Sequence, residues 1–274
     1  MEKANLKSGI RNLKFLKLGG SLITDKTRPH TARLPVLARL AQEIASALMH
    51  NPGLHLVLGH GSGSFGHVPA RQHGTRQGVR TPEDWAGFVE VWREASALNH
   101  LVMEALHTAG LPAIAFPPSA CVSAQGGQVF AWDLTPINAA LEAGLLPVVY
   151  GDVVFDSRRG GTILSTEDLF GHMAHQLLPE RLLLAGLEPG VWSDYPTCTL
   201  LALEITPGNL AQVAPSLAGS AAVDVTGGMA SKVQQSLTLV QEIPGLLIQI
   251  FSGETPGMLE QALAGELVGT VLHS

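Results

Sequence analysis

The sequence predicts an α/β fold in which a mostly parallel sheet is covered by helices on both faces. Short apolar runs alternate with amphipathic helical patterns from one end of the chain to the other. Apolar runs without a polar face are typical of strands that are buried on both sides. Their alternation with helices requires crossover connections, which place successive strands parallel to one another.

Six apolar runs predict the buried strands, at residues 13–18, 54–58, 113–116, 145–150, 181–186 and 246–251. Between them, apolar residues recur at helical spacing and predict amphipathic helices at 34–48, 83–108 and 229–242. Two further segments, 122–133 and 153–164, each place a Gly-Gly pair between β-prone flanks. Each of these segments therefore predicts a β-hairpin beside the parallel sheet.

Composition indicates a globular cytoplasmic protein. The 274 residues are 46% hydrophobic and 15% charged, with a net charge of −6 and scattered basic residues, which argues against a nucleic-acid partner. Cys121 and Cys198 have no metal-ligand spacing, as expected in a reducing compartment. No apolar run is long enough for a membrane span. We predict a polar N-terminal extension at 1–12, without a signal-peptide pattern, and one domain at 13–274.

The segment "GSGSFG" at 61–66 follows a predicted strand and matches the dinucleotide pattern G-x-G-x-x-G. That pattern also needs an acidic residue at the end of a second strand, about 20 positions further on. Glu83 and Asp84 lie in that region, but no apolar strand precedes them. A P-loop is excluded as well, because GxxxxGK[ST] does not occur. The segment is then either a phosphate-binding turn or a tight turn without a ligand.

Three features favour phosphate binding. "KLGGS" at 17–21 is a second strand end that leads into glycines, and parallel sheets bind ligands at the carboxyl ends of their strands. Of six lysines, Lys232 is the only one after Lys26, and it follows a Gly-Gly turn in "DVTGGMASK". Asp152, in "YGDVV", ends another buried strand. A solvated lysine and a turn-capping aspartate are the structural alternatives.

"KLGGSLITDK" (17–26), "GHGSGSFGH" (59–67), "YGDVVFD" (150–156) and "DVTGGMASK" (224–232) occur in this order. Together they resemble the amino acid kinase superfamily, and within it the isopentenyl phosphate kinases, over residues 13–273. The "SFGH" ending is the most specific element, because it is typical of the members whose acceptor is a phosphate or phosphonate. The resemblance implies an open αβα sandwich and a homodimer. The N-terminal half would hold the acceptor and the C-terminal half ATP with Mg²⁺.

The resemblance also implies roles for individual residues. Lys17 would stabilise the transferring phosphoryl group with help from Lys26, and Asp152 would orient the lysines. His67 would donate a hydrogen bond to the acceptor phosphate, beside Ser62 and Thr166. No protein ligand to a metal is assigned. The residues that would contact ATP, through backbone amides or side chains, are Lys17, Gly19, Gly20, Ser21, Gly63, Gly228 and Lys232.

The sequence departs from the family pattern at two places. "STED" puts Thr166 and Glu167 where the family has Ser-Gly-Asp, at a turn expected to face the substrate. "GLEPGV" puts Leu187 and Pro189 where the family has carboxylates, so relaxed selectivity for the nucleotide base is expected.

The predicted activity is the ATP-dependent phosphorylation of isopentenyl phosphate. A kinase for another small phosphate or phosphonate, such as fosfomycin, is one alternative, and a non-catalytic nucleotide-binding module on the same fold is another. His172 and His175 have a spacing that suits a metal, but two ligands make a poor site. Trp85, Phe88 and Trp92 are expected to form either core or the wall of an apolar tail pocket.

Overall fold

The computed structural model describes residues 10–219 and 228–274. Most of the predicted extension, residues 1–9, and residues 224–227 of the "DVTGGMASK" motif lie outside this part of the chain. The strands are β1 (Leu13–Leu18), β2 (His55–His60), β3 (Ala113–Ala115), β4 (Val122–Gln125), β5 (Gln128–Trp132), β6 (Leu146–Tyr150), β7 (Asp152–Asp156), β8 (Gly160–Leu164), β9 (Arg181–Gly186), β10 (Val191–Trp192), β11 (Leu201–Ala202), β12 (Glu204–Ile205), β13 (Leu247–Ser252) and β14 (Thr270–Leu272). The helices are α1 (Gly20–Ile23), α2 (Leu34–His50), α3 (Gly63–His73), α4 (Pro82–Thr108), α5 (Pro118–Cys121), α6 (Thr135–Glu142), α7 (Thr166–Leu177), α8 (Leu210–Gly219), α9 (Gly228–Glu242) and α10 (Met258–Ala264).

The large sheet contains all six predicted strands, in the order β12-β14-β13-β9-β1-β2-β6-β3. Its central strands are parallel, and only the β13–β14 pair is antiparallel, so the predicted mostly parallel α/β sheet is confirmed. β1 lies between β2 and β9, which aligns Lys17 with Gly59 on one side and Leu184 on the other. The carboxyl ends of these three strands therefore lie side by side.

Both faces of the large sheet are buried. Alternate residues of β1 enter different cores: Leu13 and Phe15 pack with residues of α7 and α9, whereas Leu16 and Leu18 pack with residues of α2, α4 and α10. The apolar runs lack a polar alternation for this reason, because each face of a strand meets a layer of helices. Within the described residues, no helix combines the length and the apolar character that a membrane crossing requires.

Both predicted hairpins form, and they join in a second sheet with the order β5-β4-β7-β8. The first hairpin turns on Gly126 and Gly127, whose φ values are +65° and +86°. The second differs from the prediction, because Gly160 and Gly161 belong to β8 and the turn comes before them. Asp156 closes that turn by accepting hydrogen bonds from the backbone amides of Arg158 and Arg159, at 2.8 and 2.9 Å.

Candidate active site

One cavity of about 220 Å³ opens at the carboxyl ends of β1, β2 and β6. This is the edge at which an open parallel sheet binds its ligands. The cavity brings together residues from distant parts of the sequence, and every predicted site residue except Gly63 lines it: Lys17, Gly19, Gly20, Ser21, Lys26, Ser62, His67, Asp152, Thr166, Gly228 and Lys232.

The ammonium group of Lys17, near the end of β1, is paired with the carboxylate of Glu167 in the first turn of α7. Burial disfavours ionisation of Glu167, but the positive charges of Lys17 and Lys232 outweigh it, so the pKa of Glu167 lies below its usual value. Glu167 thus faces a lysine from each half of the chain. The sequence singled it out only as a departure from the family pattern, and its role as partner of Lys17 was missed.

Asp152 is the first residue of β7, where the chain leaves the end of β6. It is fully buried, and its Oδ1 accepts a hydrogen bond from the amide of Val153 at 2.8 Å. Burial raises the pKa of Asp152 to about 6, although the hydrogen bond from the Val153 amide offsets part of the shift. The ion pair of Lys17 among the described residues is with Glu167, and the orienting role of Asp152 stays a prediction.

The two glycine turns touch each other directly. A Cβ atom on Gly20 would lie 2.5 Å from the backbone nitrogen of Gly63, and one on Gly63 would lie 2.2 Å from Oγ1 of Thr24. Gly63 also has a φ of +50°, which favours glycine. These glycines therefore allow the ends of β1 and β2 to approach closely, whether or not a phosphate binds. Gly63 is used in this packing and does not line the cavity.

Gly19 differs from the prediction that its backbone amide contacts a nucleotide phosphate. Its backbone amide donates to the carbonyl of Ala185 at 2.8 Å, across the boundary between β1 and β9. An amide engaged in this way does not donate to a phosphate as well. The amides of Gly20, Ser21 and Ser62 remain the candidates on this side of the cavity, because none of them donates to another group among the described residues. The amides of Ser64, Phe65 and Gly66 are already used at the start of α3.

The "GSGSFGH" segment is mostly helical rather than a loop. Only Gly61 and Ser62 lie between β2 and α3, and α3 begins at Gly63. The amide of Ser64 donates to Oγ1 of Thr24 at 2.9 Å, which anchors the start of α3 beside the first glycine turn. His67 follows in the second turn of α3 and is half-buried in the cavity wall. A helix start that faces a cavity favours an anionic ligand.

Thr166 lines the cavity, but its side chain does not suit the predicted substrate contact. It is buried, and its hydroxyl donates to the carbonyl of His60 at 2.6 Å. The hydroxyl is thus already used in fastening the start of α7 to the end of β2. We assign Thr166 a positioning role instead.

Lys26 reaches the cavity from the loop that follows α1. Its own side chain is exposed, and the loop is tied down on either side of it. Thr24 and Ala32 form an antiparallel bridge, and the His30 ring packs on Phe65 of α3 with ring centres 4.2 Å apart. The loop therefore holds Lys26 near the cavity without burying it.

The C-terminal half reaches the cavity through α9. Gly228 and Lys232 lie one turn apart on this helix, and both line the cavity. Leu187 is one of the two residues that stand where the family pattern has carboxylates. It lies just beyond β9, and 43% of its surface is exposed.

One wall of the cavity is apolar, and the sequence did not identify its residues. Ala70, Val91 and Ile163 line the cavity and belong to a small apolar cluster between α3, α4 and the β7–β8 hairpin. Phe88 is buried in the same cluster, with ring centres 5.1 Å from Trp85. Trp85, Phe88 and Trp92 do not line the cavity, so Phe88 supports this wall from behind.

The two histidines of α7 each contact the side chain of another residue. Nε2 of His172 lies 2.8 Å from the side-chain amide of Gln176, and His175 pairs with Glu242 at 3.2 Å. Among residues 10–219 and 228–274, no group of three or more histidine, cysteine or acidic side chains is placed to hold a metal.

The cavity suits Mg²⁺ that arrives with a nucleotide better than a metal ion that is held by protein side chains alone. Magnesium usually keeps several waters and is held by one or two carboxylates together with substrate phosphates. The cavity offers two carboxylates, Asp152 and Glu167, and Oδ2 of Asp152 is buried without a hydrogen-bond partner among the described residues.

Residues 12–252 match the sequence model of the amino acid kinase family. The chain belongs to the amino acid kinase family. Within this family it is 36% identical to isopentenyl phosphate kinase of Methanothermobacter thermautotrophicus, over 83% of this chain and 87% of that protein. It is 32% identical to the isopentenyl phosphate kinase of Methanocaldococcus jannaschii, over 81% and 85% of the two chains. The predicted family resemblance is confirmed.

Solved structures of other proteins share this fold. A crystal structure of isopentenyl phosphate kinase superposes with a TM-score of 0.79 at 32% identity, and the match covers 95% of this chain and 99% of that one. An N-acetylglutamate synthase from Neisseria gonorrhoeae superposes with a TM-score of 0.65 at 16% identity, over 96% of this chain and 61% of that one, and shares the fold alone.

Proposed function

We propose that this chain is an ATP-dependent kinase that phosphorylates isopentenyl phosphate to isopentenyl diphosphate. The observation that carries the proposal is the single cavity in which Lys17, His67 and Lys232 converge. Relatives that are named isopentenyl phosphate kinase, at 36% and 32% identity over most of the chain, support this acceptor over the fosfomycin-like and non-catalytic alternatives.

The acceptor phosphate would bind in the N-terminal half of the cavity. Its second pKa is about 6, so its attacking oxygen is largely ionised at neutral pH and needs no general base. His67 and the amide of Ser62 would hold this phosphate, while the apolar wall of Ala70, Val91 and Ile163 would receive the hydrocarbon tail. A cavity with one polar and one apolar end suits a small monophosphate that carries a hydrocarbon tail.

The lysines would supply the positive charge that phosphoryl transfer requires. The transferring group carries negative charge on its equatorial oxygens, and positioned cations stabilise that charge. Lys17, held by Glu167, would stabilise the transferring group with help from Lys26 at the cavity rim. Lys232 would bind nucleotide phosphates from α9. Asp152 and Glu167 would hold Mg²⁺ that arrives with the nucleotide, and the ion would neutralise part of the phosphate charge.

An ADP-release assay tests the acceptor directly. The acceptors to compare are isopentenyl phosphate, dimethylallyl phosphate, fosfomycin, N-acetylglutamate and UMP, each with and without Mg²⁺. Because one methylene in an apolar pocket changes discrimination by only about 1–3 kcal/mol, we expect turnover of both five-carbon monophosphates and weaker turnover of longer prenyl phosphates. A strong preference for fosfomycin, N-acetylglutamate or UMP would contradict the proposal.

We also infer from the family resemblance that the protein is a cytoplasmic homodimer. β3 ends the large sheet, and Ile114 on this strand has 41% of its surface exposed, which suits a covered edge. Size-exclusion chromatography with light scattering should give twice the chain mass of 28.9 kDa. A monomer at micromolar concentration would contradict this inference.

A further inference from the structure

His60, the last residue of β2, joins the elements that surround the cavity. Its backbone carbonyl accepts two hydrogen bonds, from the amide of Gly151 at 3.1 Å and from the hydroxyl of Thr166 at 2.6 Å. Gly151 precedes Asp152, and Thr166 precedes Glu167. Each carboxylate of the cavity thus directly follows, in the sequence, a residue that is hydrogen-bonded to the His60 carbonyl.

The His60 side chain makes a second set of contacts on the far side of the cavity wall. Nδ1 lies 3.2 Å from the carbonyl oxygen of Gly61, and Nε2 lies 3.1 Å from Oδ1 of Asn99 on α4. The ring is fully buried and stacks on Tyr150, with ring centres 5.3 Å apart. His60 does not line the cavity, so any effect on the reaction passes through its neighbours.

Hydrogen-bond chemistry assigns the two ring nitrogens different tasks. A neutral imidazole carries one N–H donor and one acceptor nitrogen. The Gly61 carbonyl only accepts, so Nδ1 is the donor, and the Asn99 amide can turn its NH₂ group to donate to Nε2. Burial lowers the pKa of His60, and the nearby charge of Lys17 lowers it further, which favours this neutral form.

We propose that His60 is a positioning residue, which fixes the Gly61–Ser62 turn through the Gly61 carbonyl and thereby sets how tightly the acceptor phosphate is held. The Gly61 amide is already fixed on its other side, since it donates to the carbonyl of Leu18 at 3.1 Å. With both bonds in place, the peptide groups before α3 have one orientation, and the turn next to His67 is preorganised. The effect on acceptor binding rests on the proposed function, whereas the effect on the turn does not.

Three replacements of His60 separate this role from simple core packing. His60→Asn keeps a donor at the place of Nδ1, His60→Gln keeps one at the place of Nε2, and His60→Phe keeps the ring shape without either. Loss of one hydrogen bond corresponds to about a tenfold change. We therefore expect the KM for isopentenyl phosphate to rise about tenfold in the Gln and Phe variants, but less than about threefold in Asn, with the KM for ATP nearly unchanged in all three.

Hydrogen–deuterium exchange in residues 59–66 supplies a readout that does not depend on activity. The Gln and Phe variants should exchange faster in this segment than wild type, and the Asn variant should not. His107→Asn is the matched control, because the ring of His107 also bonds a backbone carbonyl, that of Ala113 at 2.9 Å, away from the cavity. It should change neither measurement. Urea unfolding of each variant gives the accompanying loss of stability.

Two results would overturn the proposal. One is an Asn variant whose exchange in 59–66 rises as much as that of the Gln and Phe variants. If His60 only filled space in the core, the exchange rate of each variant would depend on its loss of stability alone. The other is a folded Phe variant with wild-type exchange in this segment. If wild type fails to phosphorylate isopentenyl phosphate, the proposed function is wrong, but the order of exchange rates still decides the role of His60.

Discussion

Lys17 and Glu167 form an ion pair although 150 positions separate them in the sequence. Lys17 stands near the end of the central strand β1, and Glu167 stands in the first turn of α7. Lys232 also acts on Glu167, and its charge helps to lower the pKa of this carboxyl group. One carboxylate therefore balances two lysines that would otherwise repel each other and lose their positions before the substrates bind.

Replacing Glu167 with Gln removes this charge while keeping the size of the side chain. Lys17 and Lys232 then lose the negative charge of Glu167 that acts on both of them, so we expect kcat to fall at least about tenfold, as when a preorganised electrostatic contact is weakened. Steady-state kinetics measure the effect. Glu142→Gln, at an exposed glutamate remote from the cavity, is the control and should behave as wild type. An unchanged kcat in Glu167→Gln would show that the pair does not serve catalysis.

Replacing Lys17 with Ala should nearly abolish turnover and leave the fold intact. Removal of one preorganised donor to a charged transition state typically costs about 100-fold or more in kcat. Lys17→Arg keeps the charge but not the compact ammonium, so it should recover only part of the activity. Circular dichroism checks the fold of both variants. Near-normal turnover in Lys17→Ala would mean that another group stabilises the transferring phosphoryl group.

Lys232 should act on the nucleotide rather than on the acceptor. It lies on α9 one turn after Gly228, in the half of the chain assigned to ATP. We expect Lys232→Ala to raise the KM for ATP more than the KM for isopentenyl phosphate, as measured by varying each substrate at saturation of the other. A change confined to the acceptor KM would reverse the assignment of the two halves.

Asp152 should make the folded protein less stable at high pH. Its pKa is about 6 in the folded protein, against about 3.9 for an unperturbed aspartate. The folded protein therefore binds the proton more tightly, so stability is lost as the pH rises through 6 and is fully present below about pH 4. Asp152→Asn, which stays neutral, should be more stable than wild type at pH 8 by up to about 3 kcal/mol, since one pKa unit corresponds to about 1.4 kcal/mol.

Urea unfolding of substrate-free wild type and Asp152→Asn at pH 4 and pH 8 measures this difference. The advantage of the variant should appear at pH 8 and vanish at pH 4. Activity should fall in the same variant, because a buried charge that destabilises the fold is typical of functional sites. Equal effects at both pH values would show that ionisation of Asp152 carries no penalty.

The sequence predicted the large sheet well because its strands are buried on both faces. Runs such as 13–18 and 181–186 have no polar side, and this pattern distinguishes them from the amphipathic helices between them. β10, β11, β12 and β14 were not predicted. The first three have only two residues each, which is too short for a periodic signal. The second hairpin was misplaced by the Gly160–Gly161 pair. A Cβ on Gly160 would lie 2.0 Å from the carbonyl of Val79, so this glycine serves a close approach instead of the turn.

The cavity was predictable as a set of strand ends, but its internal pairing was not. Local motifs placed Lys17, His67 and Lys232 correctly at one edge of the sheet, because parallel strands end together. Which carboxylate meets Lys17 depends on how α7 packs against β1, and no local pattern reports that. The Gly19 amide is a similar case, since only the register of β1 with β9 shows that it is used by Ala185.

His67 is the residue on which the proposal of a phosphate acceptor depends most directly. The acceptor phosphate and the γ-phosphate of ATP are both anions, so the reaction needs help in bringing them together more than it needs a base. A histidine in the second turn of α3, in the cavity wall, can donate a hydrogen bond to the acceptor phosphate and, when protonated, offset the repulsion. A nearby phosphate dianion favours the protonated form.

Replacing His67 therefore tests the acceptor assignment. His67→Ala should lose most of kcat/KM for isopentenyl phosphate and leave the binding of ATP, measured by calorimetry, nearly unchanged. His67→Gln keeps a donor without the charge, so it should retain part of the activity, and its activity should depend less on pH between 5 and 8 than that of wild type. A histidine that only supports α3 would lower stability without separating the two substrates. Equal losses for ATP and acceptor, or full activity in His67→Ala, would remove the argument for a phosphate acceptor.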